Sequence, residues 1–152
     1  MASNDLEQFG RDLRGYLKKL PREMGRAVVQ ESADNFRRQG YENDAGNVVP
    51  WAPRKVTQEH GRTRRDGGRD RRYKNPRQRA ILIKSGRLRR SVRIVATTDT
   101  SVTVGSSEAY AQAQQEGNDR GLHARPFITL GRSGQQRLVR KISSGITGLL
   151  GR

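Results

Sequence analysis

Cysteine is absent from this chain, histidine occurs twice, and Phe, Trp and Tyr together make up 5% of its 152 residues. Without cysteine there is no disulfide framework and no thiolate metal site, which fits a protein that folds in a reducing cytoplasm. His60 and His123 lie far apart in the sequence, and neither has a second histidine or a carboxylate at metal-ligand spacing, so metal catalysis is not expected. No apolar run approaches the roughly 18 residues of a membrane span. The N-terminus carries Asp5 and Glu7 and no apolar h-region, so it lacks signal-peptide character and a soluble protein is expected. The glycines match neither a dinucleotide-binding fingerprint nor a P-loop.

Acidic residues are also scarce, 15 against 31 Lys and Arg, which gives a net charge of +16. Such an excess calls for a polyanion or acidic protein neighbours. Half of it is concentrated in residues 52–79, which hold 11 basic and 3 acidic groups and only Ala52, Val56 and Tyr73 as apolar members. A stretch with so little to bury does not offset its ordering entropy, so in isolation a mobile basic loop or arm is expected. Its basic groups are mainly guanidinium (Arg62, Arg64, Arg65, Arg69, Arg71, Arg72 and Arg77, beside Lys74), and guanidinium forks suit carboxylate and phosphate oxygens. With Tyr73 as its one aromatic, the stretch has no platforms for stacking bases. Any DNA contact would be to the backbone and independent of sequence. Asp66 and Asp70 sit among these arginines, where ion pairing explains them better than acid–base catalysis.

Elsewhere the hydrophobic pattern predicts an α+β fold with a modest core. Asn4 and Glu7 mark a helix start, and Leu6, Phe9, Leu13, Leu17 and Leu20 recur at helical spacing. Pro21 interrupts this stripe, and Met24, Ala27, Val28 and Phe36 continue it up to Gly40, so a kinked helical arm or two helices are expected. Residues 41–50 read as a loop, with Gly46, Asn47 and Pro50. Residues 80–83 are apolar but too few to separate strand from helix, and 85–91 read as a turn into a short helix. Alternation at 92–97 and again at 102–104 predicts a β-hairpin at about 91–106, with Ile94 and Val104 on its buried face. Residues 110–117 read as one or two helical turns capped by Gly117. Ser133 and Gln136 form a capping-box pair before a last amphipathic helix through Leu138, Val139, Ile142, Ile146 and Leu149. Trp51, Tyr110 and Phe127 are expected in the core.

The ordered series Trp51, then Ser85-Gly86-Arg87-Leu88, then Tyr110-Ala111, then Gln115-Glu116-Gly117, then Arg125-Pro126-Phe127 resembles the phage virion-morphogenesis family, which includes protein G of Mu-like phages. The likeness runs from the Phe36 region to about Leu130 and extends to the wider group of tail-completion proteins. It implies a non-enzymatic subunit with N-terminal helices, a central antiparallel sheet and a C-terminal helix. Such a subunit would form a homo-oligomeric ring at the head–tail junction of the virion, contacting neck, connector and tail proteins after assembly in the host cytoplasm. The Arg-rich stretch departs from the pattern, so its role does not come from the resemblance.

The sequence is therefore read as one structural domain with an inserted basic arm at 52–79, no cofactor and no metal. Two partner classes fit the arm: acidic protein surfaces and genome DNA. The rival reading is a free, sequence-independent nucleic-acid-binding protein of the nucleoid or ribosomal type, which would bind tightly as a monomer and in a salt-sensitive way.

Overall fold

The computed structural model describes residues 2–53 and 80–151. Its longest element is helix α1 (Ala2–Arg38), followed by the short strands β1 (Gly40–Glu42) and β2 (Val48–Pro50). After the segment 54–79 come helix α2 (Arg87–Ser91), strands β3 (Val92–Thr97) and β4 (Val102–Ser106), helix α3 (Ala111–Glu116) and helix α4 (Arg132–Leu150). This is an α+β arrangement with two antiparallel hairpins, β1–β2 and β3–β4.

Helix α1 corrects the expectation of two N-terminal helices: it runs unbroken through Pro21, which is buried. An interior proline costs about 3 kcal/mol, and packing of the helix on both sides of it offsets that cost. The helix ends one residue earlier than the glycine signal implies, with Gln39 in the left-handed region (φ 57°). Gly40 has a different task. It pairs with Pro50 across the β1–β2 ladder, and a Cβ there would collide with the backbone of Val49.

Residues 41–50 are thus a hairpin and not a plain loop. Its turn is closed by Asn43, whose side-chain oxygen accepts the Asn47 N–H at 2.9 Å, with Gly46 at φ 87°. Strands of three residues give too short an alternation to be seen in the sequence. Residues 81–85 form turns and bends, with Leu82 at φ 62°, leading to Gly86 (φ 71°) as the N-cap of α2.

The β3–β4 hairpin stands at the expected position, with Ile94 opposite Val104. A register irregularity between Ile94 and Ala96 breaks the period-two pattern, which is how a bulge re-aims side chains. Val92 is buried, Ile94 and Val104 are half-buried, and Ala96 is exposed. Helix α1 meets this hairpin at Gly25, where a Cβ would run into Ile94 and Val102. On its other side α1 runs antiparallel to α4. Tyr16 donates to the Ile142 carbonyl at 3.2 Å, Glu23 pairs with Lys141, and Glu31 pairs with Arg137.

The capping box expected at Ser133 does not form. Gly131 is the N-cap of α4, with no side-chain cap, and Ser133 lies inside the first turn. Glu42 of β1 takes over the capping role from a distance: its carboxylate accepts the Ser133 N–H at 2.8 Å and the Ser133 hydroxyl at 2.5 Å. Negative charge at a helix N-terminus is favourable, and these hydrogen bonds from Ser133, with Arg38 and Arg137 nearby, hold the Glu42 carboxyl below its usual value against the opposing effect of burial.

Candidate functional site

The buried cluster consists of Phe36, Trp51, Leu88, Val92, Ala111 and Phe127. Phe36 is its centre: its ring meets Trp51 edge-on at 5.5 Å between centroids, and Phe127 lies at 5.5 Å in a tilted arrangement. Trp51 and Phe127 are therefore core residues as expected. Tyr110 is not. It is 45% exposed and borders a cleft with Leu82, Leu122 and His123.

Around this cluster the structure gathers polar groups that hold both described ends flanking 54–79. The Trp51 indole N–H donates to the Pro126 carbonyl at 2.9 Å, and the Trp51 backbone N–H donates to the Gln39 carbonyl at 2.9 Å. Arg125, buried at 6% exposure, donates through Nε to the Ala52 carbonyl at 3.1 Å and through Nη2 to the Pro53 carbonyl at 3.4 Å. Its Nη1 reaches Gln114 at 3.3 Å. On the far side of the segment, the Ile81 N–H donates to the Gln39 side-chain oxygen. One residue, Gln39, thus ties the chain where it leaves at Trp51 and where it returns at Ile81.

The loop that carries Arg125 and Phe127 is itself fixed by side chains. Gln115 accepts the N–H groups of Phe127 and Ile128 at 2.9 and 3.0 Å and donates to the Ile128 carbonyl at 3.1 Å. Asn35, fully buried, donates to the Phe127 carbonyl and to Thr129. Gly117 ends α3 at φ 80°, where a Cβ would collide with the Leu122 carbonyl. Ser85 accepts the Arg87 N–H at the start of α2, and Leu88 drives that helix into the core.

Of the residues singled out from sequence, Trp51, Leu88, Pro126 and Phe127 come together, Arg125 clamps onto them, and Gly86 and Gly117 shape the adjoining turns. Ser85 and Tyr110 lie on the surface. Arg62, Arg64, Arg65, Arg69, Arg71, Arg72, Lys74 and Arg77 lie outside the described residues, as does the expectation of a mobile arm. Sequence reading missed Gln39, Asn35 and the carboxylate of Glu31, which is 1% exposed and paired with Arg38 and Arg137. The available signal was polar Glu31, Ser32 and Asn35 placed just before Phe36, on a helix whose other end keeps its apolar stripe.

Among the described residues no group of His, Cys, Asp and Glu is placed to hold a metal ion, and no helix is long and apolar enough to cross a membrane. The arrangement is that of a scaffold: an aromatic core and a guanidinium clamp that present a basic segment from a fixed base. The chain matches the model of the phage virion morphogenesis family over residues 4–144 and belongs to that family. It is a phage virion assembly protein. The match begins well before the Phe36 region and takes in most of both long helices. No curated protein and no solved structure matches the chain.

Proposed function

We propose that this protein is a non-enzymatic tail-completion or neck subunit, forming a homo-oligomeric ring at the head–tail junction during virion assembly. The observation that carries this reading is the ordered motif series, whose buried members Trp51, Leu88, Arg125, Pro126 and Phe127 build one scaffold within a chain of the virion morphogenesis family. The scaffold has a thin core, as expected of a subunit whose neighbours bury the surface that the free chain leaves open. The basic segment leaves from the clamp and returns to it, and with its charge of +8 it docks on acidic surfaces of neck, connector or tail proteins, or on phosphate of the genome end.

Reconstruction of the purified particle with this chain located in it tests the reading. A ring of copies between head and tail is expected. A particle that lacks the chain, or holds it away from the junction, overturns the proposal. Binding of the free monomer to DNA that is tight and steeply salt-dependent would instead favour a nucleic-acid-binding role.

A further inference from the structure

The N-terminal part of α1 and the C-terminal half of α4 form an antiparallel helix pair that extends away from the aromatic core. Contacts across the pair run from Glu31 opposite Arg137, through Glu23 opposite Lys141, to Tyr16 over Gly145. Gly145 permits this close approach, because a Cβ there would overlap the Tyr16 ring. At about 100° per residue, the apolar stripe on each helix is rotated from the line of contact by roughly a quarter-turn on α1 and somewhat more on α4. Since the helices are antiparallel, both rotations lead to the same side, and the pair presents one joint apolar face.

That face is uncovered. Leu6 is 73% exposed, Leu17 45%, Met24 39%, Val139 60% and Leu150 68%, while Leu13 and Ile146 are half-buried behind them. Five large apolar residues on one side of two helices are a contiguous patch, unlike the scattered exposed side chains of an ordinary surface. Helices gain most of their stability from packing an apolar stripe, and here much of the stripe packs on nothing within the chain.

We propose that this face docks on the same face of a second copy of the chain, related by a two-fold axis, to give a four-helix arrangement in the free protein. Three observations select a second copy. The occupant must offer an apolar surface of equal length, and the chain itself carries one; two antiparallel helix pairs facing each other close a bundle without further elements. Like-charged copies of a +16 chain associate only through a surface free of that charge. In a protein that is 30% charged, the stretch from Ile142 to Gly151 has no charged residue. Finally, α4 is about 28 Å long and two adjacent helices are about 20 Å wide, so the pair covers about 1,100 Å² over both copies. This lies at the lower edge of specific interfaces, which makes the dimer reversible and concentration-dependent. The proposal concerns the free chain, goes beyond the head–tail role and does not depend on it.

Sedimentation of the full-length chain over a range of protein and salt concentrations tests this. A monomer–dimer equilibrium is expected, and added salt strengthens it, because salt screens the repulsion between copies and leaves the apolar contact intact. A triple variant, Leu17→Glu with Val139→Glu and Leu150→Glu, is expected to stay monomeric with unchanged helix content, association falling more than tenfold. All three side chains are already exposed in the free chain. If that variant lost helical signal, the milder Leu17→Gln with Val139→Gln is expected to weaken the dimer in the same direction. A wild type that is monomeric under all conditions overturns the proposal, as does a dimer indifferent to these substitutions or dissolved by salt. A closed ring of free chains held by this face would also overturn it, since a ring needs head-to-tail contact. The place of the chain in the virion is tested in the particle, so either proposal can fail without the other.

Discussion

Phe36 and Leu6 belong to one helix, yet the first is 1% exposed and the second 73%. The last two turns of α1 enter the aromatic core and carry the buried polar groups Glu31, Ser32 and Asn35. The preceding turns carry an unbroken apolar stripe that stays largely in solvent. The polar side chains are therefore in the buried half and the regular stripe in the open half. A buried polar group is tolerated where every partner is supplied, and the core end supplies them: Arg38 and Arg137 for Glu31, the Phe127 carbonyl and Thr129 for Asn35. The open end has regular chemistry because it awaits a surface of regular shape.

Substitutions that empty the core end should break this contrast most strongly. Trp51→Ala or Phe127→Ala removes one ring of the trio around Phe36, and a loss of about 3–5 kcal/mol is expected in chemical denaturation. A smaller loss would mean that the core is looser than its burial implies. Glu31→Ala strands Arg38 beside the core and cuts the link to Arg137; removing one partner of a buried ion pair costs about 3–5 kcal/mol, here toward the lower figure because Arg137 is half in solvent.

Glu42→Gln sharpens the comparison, because it touches the joint between core and helix pair. Loss of the carboxylate that caps α4 is expected to cost about 1 kcal/mol. Glu42 is held below its usual value of 4.5, so the folded state binds its proton less readily than the unfolded chain does. Its contribution is complete above the unfolded value and is lost as pH falls through the folded one. Thermal melting of wild type should thus decline below about pH 4.5 more steeply than that of Glu42→Gln, and parallel curves would remove Glu42 from the account.

At the open end, Leu6→Gln should shift the stability of the monomer by no more than about 0.5 kcal/mol in the same denaturation assay. A large loss would show that the stripe is already packed in the free chain. The smallest effect on folding is expected from Arg64, Arg65, Arg71 and Arg72 changed together to Gln, since none lies in an apolar stripe; the melting temperature should hold while the yield of joined heads and tails falls. Unchanged infectivity would reduce the charge run to a solvated surface.

The sequence by itself determined the class of the fold, the β3–β4 hairpin, the two long amphipathic helices, the core roles of Trp51 and Phe127, and the family. These are legible because they rest on periodicity, on large apolar side chains and on ordered motifs, all of which are local or additive along the chain. Tertiary structure alone decided that Pro21 does not divide α1, that Gly40 serves a strand pairing, that Tyr110 faces outward, and that the cap of α4 comes from Glu42, 91 residues away. It also decided that Gln39 and Arg125 hold the base of the basic segment. Each of these depends on which groups meet across long separations, where a single hydrogen bond or a missing Cβ selects among arrangements that hydrophobic pattern leaves equal.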